Sequence, residues 1–245
     1  MNPEARRTAL VTGAARGQGR AIVRRLIADG FDVVACDVRA DELDDSVSDL
    51  QSDRVLAQTL DVTSAAEWSS AVAATQERFG RLDALVSNAG IHRRGFVLDE
   101  EPDEFEWMWR VNCLSLLHAI RACVPLMRES DSGVIVCNLS VNAVRTFPSH
   151  SAYTASKFGA RGLALSAAAD LGPLGIRVNC VLPGPVATSM HDPDALERLG
   201  RVTMMNRVAE PEEIAGVVAF LLSPDAAFLV GAEIVVDGGQ GLKAH

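Results

Sequence analysis

The 245-residue sequence has no long apolar run and no surplus of basic residues. A membrane-spanning helix needs about 20 apolar residues, and the apolar run at residues 217–222 is far shorter. Asp and Glu number 32 against 23 Lys and Arg, which gives a net charge of -9. Binding to nucleic acid or to anionic lipid requires a basic stripe, and the sequence contains none. We therefore expect neither a nucleic acid nor a membrane as a partner.

Paired cysteines and the marks of a secretory leader are missing as well. Residues 1–9 contain neither a long apolar segment nor a cleavage signal, so we expect a cytoplasmic protein. No two cysteines form a C-x-x-C pair, and no close cluster of Cys and His suggests a metal site. The cysteines lie in apolar stretches, which predicts buried free thiols and no bound metal: Cys36, Cys113, Cys123, Cys137 and Cys180.

Short β-branched runs alternate with helix-period segments along almost the whole sequence. Strands are predicted at residues 9–11, 33–36, 55–60, 84–86, 134–137, 176–181 and 233–236. Several of these runs are continuously apolar, as expected where helices cover both faces of a parallel sheet. The pattern predicts an α/β fold over residues 1–245, a single-domain, Rossmann-like, doubly wound sheet of seven mainly parallel strands with helices on both faces.

Residues 183–210 are the least regular part of the sequence. Pro183, Gly184, Pro185, Pro193 and Gly200 disfavour a continuous helix there. A long irregular insertion in a compact domain is more often functional than idle. We expect this segment to form a lid over a substrate site.

Three glycines follow the first predicted strand and precede a helix-period segment. Glycine lets the chain turn sharply and lets phosphate oxygens approach without a Cβ in the way. A helix that starts there offers free N–H groups and the positive end of its dipole to a pyrophosphate. The arrangement predicts a dinucleotide-binding loop at Thr12-Gly13-Ala14-Ala15-Arg16-Gly17-Gln18-Gly19.

The second predicted strand leads into Asp37, close to the usual distance after a glycine loop for a carboxylate that contacts ribose. The carboxylate can accept hydrogen bonds from ribose hydroxyls and would repel a 2′-phosphate. We therefore expect NAD, with NADP as the less favoured cofactor. Arg16 and Arg39 oppose this interpretation, because either guanidinium could pair with that phosphate.

Tyr153, the only tyrosine in the chain, precedes Lys157 at the start of a helix-period segment that continues to Leu171. Their i, i+4 spacing places the phenol and the ammonium on one helix face. A phenol pKa near 10 must fall to about 7 for acid/base work at neutral pH, which takes roughly 4 kcal/mol. A lysine ammonium and an oxidised nicotinamide could supply that in a water-poor site, with Ser140 bonding the substrate oxygen.

Over nearly all its length the sequence resembles the short-chain dehydrogenase/reductase family. The matching motifs are T-G-x-x-x-G-x-G at residues 12–19, Asp61 after the third strand, Ser87-Asn88-Ala89-Gly90 for N-N-A-G, Asn112, Ser140 with Tyr153-x-x-x-Lys157, and Pro183-Gly184 followed by Thr188. The chain departs from the family at Ser87, where the first asparagine of N-N-A-G is expected. We expect that change to affect mainly local packing, with Asn88 keeping its place near the adenosine ribose.

The resemblance implies a catalytic tetrad of Asn112, Ser140, Tyr153 and Lys157. In the reductive direction Tyr153 would donate a proton while C4 of the nicotinamide donates hydride. Lys157 would hold the nicotinamide ribose and lower the tyrosine pKa, and Asn112 would hold a water linked to solvent. The implied cofactor contacts are Gly13, Arg16, Gly17, Gln18, Gly19, Asp37, Asp61, Val62, Asn88, Ala89, Gly90, Tyr153, Lys157, Pro183, Gly184, Val186 and Thr188.

Taken together, the motifs predict an oxidoreductase that moves a hydride between NAD(H) and a secondary alcohol or ketone. Positions next to the family's substrate segments, together with the lid, suggest His92, Asn142, His150 and Met190 as substrate-lining residues. The segment 160–174 is rich in Ala, Leu and Gly on more than one face, so a single core cannot cover it. In the family this helix packs against its symmetry mate, and we expect a homotetramer.

Two other functions stay open from the sequence. An NADPH-dependent ketoreductase acting on a 3-oxoacyl chain of a carrier protein would share every motif, although it should present a basic docking patch. A non-catalytic dinucleotide-binding sensor would usually lack the tyrosine or the lysine, and here both are present.

Overall fold

The computed structural model describes residues 6–48, 50, 52–130, 133–188 and 193–242, with the backbone alone described for Pro193. Its strands are β1 (Thr8–Thr12), β2 (Asp32–Asp37), β3 (Val55–Thr59), β4 (Ala84–Ser87), β5 (Val134–Asn138), β6 (Arg177–Pro183) and β7 (Glu233–Val236). Its α-helices are α1 (Gly17–Ala28), α2 (Ala40–Ser48), α3 (Ala65–Phe79), α4 (Pro102–Trp109), α5 (Ser115–Met127), α6 (Ser151–Leu171), α7 (Pro193–Gly200) and α8 (Pro211–Leu222).

The strands form one seven-stranded parallel sheet in the order β3-β2-β1-β4-β5-β6-β7. This confirms the predicted doubly wound α/β architecture and all seven strands, most of which differ from the prediction by a residue or two at their ends. The largest difference is at β6, which continues to Pro183 because its last residues pair with β7.

Two apolar cores cover the two faces of the sheet, which explains why the strand runs are continuously apolar. On one face Leu10 and Ile135 pack with Trp68 and with the small side chains of α6. On the other face Val11 and Val136 pack with α1 and α8. Ile22 of α1 is fully buried there. The five cysteines are free and buried, as predicted. Within the residues described, no helix is long and apolar enough to cross a membrane.

The fold places its binding crevice where the strand order reverses. The chain runs outward through β2 and β3 and then returns to β4 beside β1. The loops after β1 and β4 therefore separate at the carboxyl edge of the sheet, and that edge is where open α/β sheets bind ligands. Of the predicted lid, residues 184–188 and 193–210 are described, and they lie beyond the end of β6 at the same edge. The lid contains the short helix α7 followed by turns, and no continuous helix runs through its described residues.

Candidate active site

Two adjoining cavities open at the carboxyl edge of the sheet. The first, the glycine-loop groove, has a volume of about 520 Å³ and runs from Gly13 past Asp37 to Asp61. The second, the tyrosine cavity, has a volume of about 390 Å³ and contains Tyr153 and Lys157. The two cavities share Gln18, Asn88, Gly90, Ile91, His92 and Thr188, so they form one continuous cleft.

The glycine loop is shaped by close backbone approach. Gly13 and Gly17 adopt positive φ angles of 67° and 54°, which favour glycine. A Cβ at Gly19 would lie 2.0 Å from the Gly13 carbonyl oxygen, so any side chain there would push the loop open. Helix α1 begins at Gly17, and the side chain of Arg16 makes no capping bond to its first turn. The first N–H groups of the helix are therefore not capped by Arg16.

Asp37 ties the end of β2 to the glycine loop. One carboxylate oxygen accepts from the Ala15 N–H at 3.1 Å, and the other accepts from the Arg39 N–H at 3.1 Å. The residue is buried but lines the groove. The guanidinium of Arg39 pairs with Glu42 rather than with Asp37. The carboxylate thus has a structural role, and lone pairs remain on both of its oxygens.

Asn88 and Asn138 hold the centre of the cleft together. The side chain of Asn88 donates to the Thr12 carbonyl at 2.8 Å, and its backbone N–H donates to the Thr12 hydroxyl. Asn138, at the end of β5, donates to Asn88 Oδ1 at 2.9 Å and to Gln18 Oε1 at 2.8 Å. The ends of β1, β4 and β5 are therefore locked by amide hydrogen bonds directly beneath the cleft.

Ser140, Tyr153 and Lys157 meet in the tyrosine cavity. Helix α6 brings the ammonium Nζ of Lys157 to 5.6 Å from the centre of the Tyr153 ring. Ser140 follows β5, and its hydroxyl accepts from the Asn142 N–H at 3.1 Å. Asn142 in turn donates to the hydroxyl of Thr154 at 3.0 Å, which fixes the Ser140 turn against the start of α6.

Burial shifts the pKa values of the two central groups in opposite directions. Desolvation raises the pKa of Tyr153, and hydrogen bonding with Ser140 opposes that shift. Desolvation lowers the pKa of Lys157 to about 8. Acid/base chemistry near neutral pH requires a lowered tyrosine pKa, whereas burial of the phenol raises it. A net lowering of the Tyr153 pKa therefore requires positive charge next to the phenol in addition to the hydrogen bond with Ser140.

Asn112 lies on a π-helical turn, Arg110–Leu114, inserted between α4 and α5. Its amide oxygen accepts from the Ile91 N–H at 2.8 Å. Its amide nitrogen donates to the Ile91 carbonyl at 2.9 Å and to the Ser156 hydroxyl at 3.0 Å. A π-helical turn frequently marks a functional position, because the extra residue re-aims side chains. Here it directs Asn112 beneath the segment that enters both cavities.

Two histidines form the outer wall of the tyrosine cavity. The ring of His92 lies edge-on to Tyr153, with centroids 4.7 Å apart, and stacks on His150 at 5.0 Å. His150 Nδ1 lies 2.6 Å from the Pro148 carbonyl oxygen, so Nδ1 carries the proton and donates. Phe147 packs edge-on to His150 at 6.2 Å.

Comparisons with known proteins agree with this geometry. A family model described as Enoyl-(Acyl carrier protein) reductase matches residues 13–240. The chain is 37% identical over 244 residues to trans-4-hydroxycyclohexanecarboxylate dehydrogenase of Sinomonas cyclohexanicum, covering 96% of this chain and 93% of that protein. It is 39% identical over 235 residues to 3-alpha-(or 20-beta)-hydroxysteroid dehydrogenase of Mycobacterium bovis, covering 95% and 88%. The crystal structure of levodione reductase matches with a TM-score of 0.92 at 34% identity, covering 97% of this chain and 98% of that one.

The chain belongs to the short-chain dehydrogenase/reductase family. It is an enzyme of the oxidoreductase class, and the family implies a nicotinamide dinucleotide cofactor. The groove is compatible with such a group, because it runs past the start of α1, where Arg16 makes no capping bond and the first turn contains no acidic residue to repel a phosphate.

The short-chain dehydrogenase/reductase cleft brings the sequence-predicted residues together. The predicted cofactor residues in the glycine-loop groove are Gly13, Arg16, Gly17, Gln18, Gly19, Asp37, Asp61, Val62, Asn88, Ala89, Gly90 and Thr188. Those in the tyrosine cavity are Tyr153, Lys157, Pro183, Gly184 and Val186. His92, Asn142 and His150 line the tyrosine cavity, whereas Asn112 lies behind its wall. Met190 lies outside the described residues.

Three polar residues of the tyrosine cavity were not predicted from the sequence: Arg94, Asn138 and Gln240. Asn138 carried a usable signal, because a polar residue ends an otherwise apolar parallel strand at the edge where ligands bind. Arg94 carried none. Its position depends on a contact between Gly95 and Ser149, two segments far apart in the sequence.

Proposed function

We propose that this protein transfers a hydride between NAD(H) and a secondary alcohol or ketone, with Tyr153 as the general acid/base. The observation that carries the proposal is the convergence of Tyr153, Lys157 and Ser140 in a cavity continuous with the glycine-loop groove. A dinucleotide lying along the groove would reach into the tyrosine cavity with its far end. The reacting carbon of the substrate and the phenol would then meet in one small space.

Side chains of the protein itself would transfer the proton. When bound, the nicotinamide would supply or accept the hydride. In reduction, the Tyr153 hydroxyl would donate its proton to the carbonyl oxygen, and Ser140 would hold that oxygen by a hydrogen bond. In oxidation the phenolate would take the proton from the alcohol. Because burial raises the pKa of Tyr153, the neutral phenol is favoured near pH 7, which suits the reductive direction.

Lys157 would favour the phenolate electrostatically and would bind ribose hydroxyls through its ammonium. Its pKa near 8 leaves it mostly charged at neutral pH. The side-chain amide of Asn112 donates both of its N–H hydrogens to protein acceptors, the Ile91 carbonyl and the Ser156 hydroxyl. A water bound by Asn112 would therefore have to donate a hydrogen bond to an oxygen of that residue. Asn112 would otherwise act as a positioning residue for the Ile91 segment.

The charges at the end of the groove that would bind the adenosine ribose favour NAD over NADP. Asp37 is the carboxylate next to that end, and its oxygens retain lone pairs for ribose hydroxyls. Arg16 and Arg39 both line the same end, but Arg39 pairs with Glu42. A 2′-phosphate would meet the buried negative charge of Asp37 at this position.

Cyclic secondary alcohols and ketones are the substrate class that we propose. Two relatives are named for trans-4-hydroxycyclohexanecarboxylate and for hydroxysteroids as substrates. The tyrosine cavity, at about 390 Å³, is large enough for a ring beside the nicotinamide. Residues 183–210 would form its lid, since Leu199 and Val202 line the cavity from beyond the end of β6.

A homotetramer would explain two separate exposed apolar surfaces. The first surface lies on α4, the π-helical turn, α5 and α6, and comprises Phe105, Trp109, Leu114, Leu117 and Phe158. The second lies near β7 and the end of α8, and comprises Phe220, Phe228, Val230, Val235 and Leu242. Two distinct self-complementary surfaces on one chain generate a tetramer of dihedral symmetry. Light scattering should give four times the chain mass of 26.1 kDa, and a monomer would contradict this proposal.

A substrate screen that follows the absorbance of the reduced nicotinamide tests the function. Cyclohexanol, cyclopentanol, hydroxysteroids and the matching ketones are assayed with NAD(H) and with NADP(H). We expect turnover of at least one cyclic alcohol–ketone pair. Tight cofactor binding with no turnover of any carbonyl or alcohol would favour the non-catalytic sensor. Turnover confined to a carrier-bound 3-oxoacyl chain would favour the ketoreductase.

A further inference from the structure

The tyrosine cavity is basic within an acidic protein. The chain carries a net charge of -9, yet no Asp or Glu among the described residues lines this cavity. Its titratable lining residues are Tyr153, Lys157, His92, His150 and Arg94. Lys157 is buried at the inner end, whereas Arg94 is exposed on the rim.

Arg94 has no ionic partner among the described residues, unlike the arginine beside it. Arg93 pairs with Glu104 at 2.6 Å. Glu100, on the same rim, accepts a hydrogen bond from the hydroxyl of Ser151 and is not part of the cavity lining. The guanidinium of Arg94 therefore keeps its full set of donors, arranged in the fork that fits a carboxylate.

The backbone holds Arg94 beside the histidine pair. The Gly95 N–H donates to the Ser149 carbonyl at 3.1 Å, and Gly95 forms a parallel bridge with His150. Ser149 has a φ of 61°, a conformation that costs a non-glycine residue energy and persists only where the surroundings impose it. The rim is thus a fixed structure, and the His92 ring spans the gap from His150 to Tyr153.

From this placement we propose that the substrate carries a carboxylate, bound by Arg94 at the rim while its alcohol or ketone carbon lies at Tyr153. The substrate class is therefore a small cyclic hydroxy acid or oxo acid. This inference rests on the proposed function, because it assumes that the reacting carbon meets Tyr153. Neutral cyclic alcohols would bind in the same cavity without the rim contact.

Equilibrium binding separates this proposal from catalysis. Cyclohexanecarboxylate has no oxidisable hydroxyl, and cyclohexanecarboxamide is its neutral counterpart. Calorimetric titration of each into the NADH-bound enzyme should show tighter binding of the carboxylate. Arg94→Gln should reduce the carboxylate-over-carboxamide ratio about tenfold, the lower end for a bond to a charged group because Arg94 is exposed. Arg128→Gln is the matched control, since it removes one exposed charge at the end of α5, outside both cavities.

Turnover supplies the second measurement. The ratio of kcat/KM for 4-hydroxycyclohexanecarboxylate to that for cyclohexanol should fall about tenfold in Arg94→Gln, through KM, and should stay unchanged in Arg128→Gln. If the wild type binds the neutral compound as tightly as the acid, the carboxylate proposal is wrong. If it also turns over cyclohexanol as well as the hydroxy acid, the proposed function stands without the carboxylate site. If the carboxylate binds through Arg94 but no alcohol is oxidised, the proposed function fails and the anion site stands.

Discussion

The two ends of the cleft are built in different ways. At the glycine-loop groove, Gly19 leaves no room for a Cβ, and both oxygens of Asp37 are bonded to backbone N–H groups. At the rim of the tyrosine cavity, Arg94 is exposed and has no ionic partner among the described residues. A change at Gly19 or Asp37 therefore disturbs the backbone of the groove, whereas a change at Arg94 alters only what the cavity admits. Cofactor binding and substrate choice are physically separable in this molecule.

The largest loss of activity is expected from a substitution at Tyr153. Tyr153→Phe removes the proton donor but keeps the ring that packs against His92. General acid/base catalysis typically contributes 10²–10⁴-fold, so kcat should fall by about that factor. The dissociation constant for NADH should stay within about threefold of wild type. Steady-state kinetics and cofactor fluorescence check this, and a kcat close to wild type would remove Tyr153 from the mechanism.

A substitution in the groove should weaken cofactor binding strongly. Gly19→Ala places a Cβ 2.0 Å from the Gly13 carbonyl oxygen and 2.7 Å from Asn88 Nδ2. Overpacking of this kind costs about 1–3 kcal/mol, so NADH affinity or the melting temperature should drop accordingly. Gly216→Ala in α8 is the control, because its Cβ would meet only the flexible Arg25 guanidinium at 3.6 Å. Equal behaviour of the two variants would show that the loop is not closely packed.

Cofactor choice should depend on Asp37. A hydrogen bond to a charged group is worth about 1.5–3 kcal/mol, so Asp37→Ala should reduce the NAD-over-NADP ratio of kcat/KM about ten- to hundredfold. The ratio is the informative quantity, because loss of the bonds to Ala15 and Arg39 would weaken both cofactors together. Arg39→Gln provides the comparison and should move the ratio towards NAD. Better use of NADP by the wild type would show that the arginines dominate.

The buried lysine should cost stability. The folded-state pKa of Lys157, about 8, lies below its ordinary value of 10.5. At every pH below about 8, the buried ammonium therefore lowers the free energy of unfolding by its full amount. That cost falls as pH rises from about 8 to 10.5, where the unfolded chain still holds the proton. Lys157→Met should therefore raise the free energy of unfolding at pH 7, by up to about 3 kcal/mol, while abolishing turnover. Urea denaturation at pH 7 and pH 10 checks this, and a destabilised variant at pH 7 would contradict it.

Site residues that lie close together in the sequence could be predicted, whereas contacts between distant segments could not. The glycine loop and the Tyr153/Lys157 pair each lie within a few consecutive residues, Asp37 ends the next strand after the loop, and all of them line the cleft. The π-helical turn around Asn112 leaves no periodic signal, so its position could not be derived. The rim could not be predicted because it forms only when the segment after Gly90 meets the start of α6. The direction of the Tyr153 pKa shift likewise depends on burial, which the spacing does not reveal.

Transfer of deuterium tests most directly whether the enzyme moves a hydride from the nicotinamide to the substrate with Tyr153 as the acid. A cyclic ketone accepted in the screen is reduced with NADH labelled with deuterium at C4 of the nicotinamide, and the product alcohol is examined by mass spectrometry. Direct hydride transfer should place one deuterium on the carbinol carbon from one of the two labelled faces, and product formation should fall about 10²–10⁴-fold in Tyr153→Phe. Product alcohol without deuterium from either face, or formed equally fast by Tyr153→Phe, would contradict it.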